Sequence, residues 1–143
     1  QLWREDETNI TGDSFRSQVR RELMPVARHL RPDFEHVLAQ TMDLIADEEE
    51  ERCQQVESIV YRTLVWDGDE ARVPCGTFEG VSRPLARRIL RSCLLVVNPD
   101  ARLEATQIDR VLDGLASEGF TTETSGGLRT SVHDGTLVIR KAQ

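Results

Sequence analysis

Arg83, Arg87, Arg88 and Arg91 fall in a stretch that no acidic residue interrupts, and Arg16, Arg20, Arg21, Arg28 and Arg31 gather in a second run broken by Glu22. A guanidinium is planar, permanently charged and able to take a phosphate through two parallel N–H groups. At about 100° per residue of helix, each set collects on one side while apolar residues take the other. Two such faces could grip a structured RNA, which is held mainly through its shape and backbone. The same residues could instead pair with Asp and Glu, as cations on an acidic protein commonly do. Residue type alone leaves both chemistries open.

Other candidates are less organised. Asp6, Thr8 and Asn9 could shape a loop through Asx-type hydrogen bonds or stand at the edge of an active site. No Ser/His/Asp, Cys/His or paired-carboxylate spacing suggests a self-sufficient catalyst. Cys53, Cys75 and Cys93 form no C-x-x-C pair, and His29, His36 and His133 are scattered, so the reading is buried free thiols and no bound metal. Ser125-Gly126-Gly127-Leu128-Arg129 imitates a phosphate loop, yet it lies between two predicted strands. A phosphate loop opens a helix, where aligned N–H groups face the anion, so a hairpin turn is expected here.

The elements that must carry these residues are legible from spacing. Asp13 can cap a helix with Phe15, Val19, Leu23, Val26 and Leu30 on one side, and Pro25 predicts a kink in it. After Arg31-Pro32-Asp33, Phe34, Val37, Leu38 and Ile45, then Val56, Ile59, Val60 and Leu64, keep helical register over ~30 residues, about 45 Å. The run Asp47–Glu51 is then solvated helix surface, because a calcium loop needs glycine and spaced oxygen ligands. From Trp66 to Gly80 the chain reads as a loop, with room for a short strand at Arg72-Val73-Pro74. Ser82 caps a third helix, in which Leu85, Ile89, Leu90 and Cys93 lie opposite the arginines. Ile108, Val111, Leu112 and Leu115 mark a fourth, ended by Gly119. Phe120–Thr124, Leu128–His133 and Thr136–Arg140 predict a small antiparallel meander, with Asp134-Gly135 as a hairpin turn.

The fold class is therefore α+β: a mainly helical first half with a long helix, then a helical pair packed on a small antiparallel β-meander. Segments 1–31, 32–80 and 81–143 are the expected divisions. The net charge of −7 weighs against a nucleic-acid partner. Its distribution weighs the other way. Asp43, Asp47, Glu48, Glu49, Glu50, Glu51 and Glu57 stand against Arg52 in one segment, which leaves the remainder close to neutral with local basic faces. The longest apolar run, Cys93–Val97, is far too short to span a bilayer.

Residues 3–26 also carry a resemblance. Trp3, Asp6, Thr8 and Asn9, followed by Arg16, Val19, Arg20, Leu23 and Pro25, resemble the pattern W-x-x-D-x-[ST]-N, R-N-x-[IV]-R, L-L-P of the tRNA(Ile)-lysidine synthetases. In that family of the ATP-pyrophosphatase (PP-loop) superfamily, the pattern marks where the catalytic domain hands over to the tRNA-binding half. Ser17 stands in place of the usual Asn and Met24 in place of the second Leu. Further on, Arg83–Arg91, a proline-bounded gap, the helix around Gln107-Ile108 and the closing hairpin resemble the family's substrate-binding domain in order and spacing.

The resemblance implies a specific chemistry. ATP (with Mg) adenylates C2 of the wobble cytidine in tRNA(Ile) bearing a CAU anticodon, and the lysine amine then displaces AMP, so that AUA is decoded. The nucleotide loop is expected upstream of Gln1, which fits a chain without an initiator Met, and no ATP is expected to bind this fragment alone. By the same resemblance, residues 1–31 are the tail of the catalytic domain and a connecting helix, 32–80 a linker helix and hinge, and 81–143 the tRNA-binding subdomain. Asp6, Asn9, Arg16 and Arg20 are placed at the active-site edge, and Arg83, Arg87, Arg88 and Arg91 on the tRNA backbone by charge geometry. A cytoplasmic location and a homodimer are further expectations. Two alternatives stay open: a protein-interaction or dimerisation module without RNA binding, and an accessory domain of another PP-loop tRNA-modifying enzyme.

Overall fold

A computed structural model describes residues 15–142; Trp3, Asp6, Thr8, Asn9 and Asp13 lie outside the described residues. The chain forms two compact units that divide at Glu49/Glu50, within a long helix.

In the first unit, α1 (Phe15–Gln18) passes through a wider turn (Val19–Leu23) into α2 (Met24–Leu30). The Met24 N–H donates to Val19 O, five residues back rather than four. Pro25 explains the widening, because its ring crowds the carbonyl of the preceding turn and it has no N–H to offer. The kink expected from Pro25 takes the form of a single π-turn. Arg31 then adopts an extended conformation, Phe34 N–H donates to Arg31 O at 3.0 Å, and α3 (Phe34–Thr63) begins. None of residues 15–49 is buried. Phe15 and Leu30, at 81% and 77% exposed, share the predicted apolar side with Leu23 and Val26, yet no described residue of this unit covers it.

The second unit contains the core. The C-terminal part of α3 contributes Val56 and Val60. Then come β1 (Val65–Asp67), β2 (Glu70–Pro74), a 3₁₀ turn (Cys75–Phe78), α4 (Arg83–Val97), α5 (Ala105–Gly114), β3 (Thr121–Thr124), β4 (Leu128–His133) and β5 (Thr136–Lys141). The strands form one antiparallel sheet in the order β1-β2-β5-β4-β3. This corrects the loop reading of Trp66–Gly80: β1 and β2 make a hairpin across Gly68-Asp69, and β2 joins the edge of β5. In register, Ala71 faces Ile139 and Ile139 faces Thr130, while Val73 faces Leu137 and Leu137 faces Val132. All six are at most 1% exposed and form the inner face of the sheet.

Ile89, Leu90, Cys93 and Leu94 of α4 and Val111 of α5 complete the core at 0% exposure. Each such aliphatic side chain gains roughly 1.5–3 kcal/mol on burial. Three local expectations need correction. Ser82 sits at the N-cap of α4 but makes no side-chain cap bond; Pro84, within the first turn, fixes the helical φ there instead. The fourth helix ends at Gly114, where a Cβ would fall 2.5 Å from the Phe120 ring, and Gly119 belongs to the following turn at φ +76°. Of the cysteines, only Cys93 is buried, with its thiol pushed up to about 12 by burial; Cys53 is exposed and Cys75 half-buried. Among the described residues, no helix is long and apolar enough to cross a membrane.

Candidate nucleic-acid interface

Burial of Ile89, Leu90, Cys93 and Leu94 fixes the rotation of α4, and it leaves Arg83, Arg87 and Arg91 exposed on the opposite side at four-residue spacing. Two of the three meet carboxylates from α5. Arg87 is bidentate to Asp109, with Nε 2.8 Å from Oδ1 and Nη2 2.9 Å from Oδ2. Arg83 Nη2 lies 2.8 Å from Asp109 Oδ1 and 2.8 Å from Asp113 Oδ1, while its Nε donates to Asp109 Oδ1 at 3.0 Å. Hydrogen bonds from Arg87, and after it from Arg83, hold the Asp109 carboxyl below the ordinary carboxylate range. The second chemistry left open by the sequence, pairing with Asp, is thus what these two guanidiniums do here: they lace α4 to α5.

Arg91 differs. Its Nη1 donates to the Leu103 carbonyl at 3.2 Å, and no carboxylate among the described residues lies within ion-pair distance. Arg88, half-buried, lines a cavity of about 200 Å³ with Cys53, Glu57 and Arg91. A second cavity, of about 560 Å³, is lined by Arg91, Arg102, Leu103, Glu104 and Ser125. Arg102 was not among the sequence candidates, because a single arginine in the aperiodic segment 98–104 carries no pattern.

The outer face of the sheet is also arginine-bearing. Arg140 stands 3.5 Å from Glu70, Arg129 4.0 Å from Glu123, and Arg72 2.9 Å from Asp67. Of these residues, Arg140, Glu70, Arg129 and Glu123 line a cleft of about 890 Å³ with Trp66 and Lys141. Asp69, Glu70 and Glu123 balance Arg129, Arg140 and Lys141 in its lining, so the cleft has no pronounced sign.

In the first unit, Arg16 and Arg20 border a cavity of about 730 Å³ with Phe15, Val19, Met24 and Arg28. Neither has an ion-pair partner among the described residues. Their neighbours do: Arg28 takes Glu35 with two bonds, at 2.7 and 3.0 Å, Arg31 takes Asp33 at 3.0 Å and Arg21 takes Glu22 at 3.0 Å. Asp6 and Asn9 lie outside the described residues, so the active-site edge read from the motif is represented by Arg16 and Arg20 alone.

No family model matches the chain. Among curated proteins it is similar to a tRNA(Ile)-lysidine synthase of Geobacter sulfurreducens, 29% identical over 111 residues, covering 76% of this chain and 24% of the relative. It is similar to a second, from Exiguobacterium sibiricum, at 27% identity over 111 residues, covering 78% and 25%. The likeness to these relatives extends over about three quarters of the chain. The matched segment spans about a quarter of the length of these relatives.

Proposed function

We propose, from the likeness to two tRNA(Ile)-lysidine synthases over 111 residues, that this chain is the tRNA-gripping part of a lysidine-forming ligase. That likeness is the observation that carries the reading. In it, the second unit binds the tRNA body through guanidinium groups in the C-terminal part of α4 and the segment that follows it, and presents the CAU anticodon loop of tRNA(Ile) to a catalytic part that uses ATP with Mg and L-lysine. Arg16 and Arg20, together with Asp6 and Asn9 of the motif, stand at the edge of that catalytic part. Nothing in the second unit needs to be a nucleophile or a general base for this role. The residues supply positioning, and holding the reacting groups together can account for several kcal/mol of a barrier.

Physical support comes from charge. The excess acid of the chain lies on α3, where residues 47–51 are all exposed, and not on the exposed side of α4. Phosphate contact by Lys and Arg releases counterions, so binding must weaken steeply with salt. Photocrosslinking to an unmodified tRNA(Ile) transcript tests the reading: crosslinked peptides from 83–104 are expected. Absence of binding at low salt, or crosslinks that avoid the second unit, would remove it.

One observation favours a second reading, that of an association module. Leu38, Met42, Leu44 and Ile45 are 48–65% exposed on one stretch of α3, an apolar concentration that commonly marks a contact surface. Light scattering distinguishes the two: a dimer that persists at high salt and does not bind tRNA would favour association.

A further inference from the structure

The segment between α4 and α5 is built to hold one arginine still. Asn98 Nδ2 donates to Gly126 O at 2.8 Å, and Ser125 Oγ, from the β3–β4 turn, donates to Arg102 O at 3.0 Å, with Gln107 Oε1 also 3.0 Å away. Gly126 packs so closely on Ala101 that a Cβ would stand 2.6 Å from the Ala101 Cβ. From the other side Arg91 donates to the Leu103 carbonyl. The Ser-Gly-Gly turn, which imitates a phosphate loop in sequence, thus acts as a clamp on the backbone of 101–103. The Arg102 side chain itself is exposed and has no ion-pair partner among the described residues. The one carboxylate lining this cavity, Glu104, is drawn to the first turn of α5 as its capping residue.

Resting on the reading of the chain as a tRNA-binding module, the geometry points to Arg91 and Arg102 as a phosphate-binding pair for the RNA backbone, at the cavity of about 560 Å³ that both line. Arg83 and Arg87 are excluded from that role because Asp109 and Asp113 already neutralise them. Backbone clamping matters because an arginine on a fixed segment loses less freedom when it binds. Open guanidiniums with donors to spare take phosphate bidentately.

The test measures tRNA(Ile) affinity of the whole protein as a function of salt for the wild type, Arg102→Ala, Arg91→Ala, and Arg83→Ala with Arg87→Ala. Arg102→Ala removes an exposed side chain, and Arg102→Lys serves as a charge-retaining companion. Loss of one phosphate contact predicts a several-fold rise in Kd and a fall of about 1 in the log–log salt slope for Arg102→Ala and for Arg91→Ala. Arg102→Lys should keep the slope, and the Arg83/Arg87 double variant should keep it while melting lower. If inorganic phosphate bound the wild type but not the Arg91→Ala/Arg102→Ala double variant, while the tRNA affinity and salt slope of that variant stayed unchanged, the pair would belong to a free anion and the proposal would be overturned. Unchanged slopes for Arg91 and Arg102 in a protein that still binds tRNA would overturn the pair alone. Salt-independent or absent binding by the wild type would overturn the tRNA reading with it.

Discussion

At the scale of single residues, two side chains make opposed demands on solvent. Asp109 is held below its ordinary range by Arg87 and Arg83, so its stabilising contribution is complete above its unfolded value, about 3.9, and is lost as pH falls through the lower folded value. Thermal melts taken through this acid window should show a steeper decline for the wild type than for Asp109→Asn, which has no proton to gain; equal slopes would deny the coupling. Cys93 behaves oppositely. Its thiol ionises at about 12 in the fold and near 8.5 when unfolded, so it should resist alkylation in the native protein and favour unfolding as pH rises past the lower value. Mass spectrometry after brief alkylation should find Cys53 labelled and Cys93 untouched. Gly126 is constrained by space: Gly126→Ala should cost about 1–3 kcal/mol through the collision with Ala101, read as a lower Tm.

At the scale of elements, periodicity predicted what it could and missed what it could not. The arginine and apolar sides of α4 are legible in the spacing of Leu85, Ile89, Leu90 and Cys93; the last three are buried, together with Ala86, Leu94 and Val97, while Leu85 is half-buried. Leu94→Ala should accordingly cost ~2–5 kcal/mol in chemical denaturation. The Asp134-Gly135 turn was legible from residue type, and both residues take positive φ, 49° and 66°. The β1–β2 hairpin was not: β1 is three residues long and exposed throughout, so it has no alternation to display, and its pairing with the sheet is a long-range fact. The partners of Arg83 and Arg87 were hidden for the same reason, since Asp109 and Asp113 come from another helix. Residue type identifies the Ser-Gly-Gly segment as a hairpin turn, as the β3–β4 pairing shows, but its clamp on Arg102 depends on a packing contact that spacing does not encode. At the N-terminus of α5, Glu104 and Gln107 form a reciprocal capping box. Glu104→Ala should remove about 0.5–1 kcal/mol of helix stability.

At the scale of the molecule, the two units differ in what holds them. The unit from Glu50 onward contains the buried cluster, whereas residues 15–49 bury nothing and rely on local helix bonds and surface ion pairs such as Arg28–Glu35. Short helices without tertiary burial are marginal in water. Amide exchange should therefore be fast over α1 and α2 and slow over α4, β4 and β5; uniform protection would show that the first unit has found cover. The amphipathic pattern of Phe15, Leu23, Val26 and Leu30 announced a helix correctly, but a pattern does not say which surface will cover it. tRNA binding by the chain is the proposal that the whole molecule must satisfy. A binding titration against the CAU-anticodon tRNA(Ile) and elongator methionine tRNA, at low and moderate salt, tests it most directly. Binding that weakens with salt and favours the isoleucine tRNA is predicted, and no binding to either tRNA at low salt would contradict it.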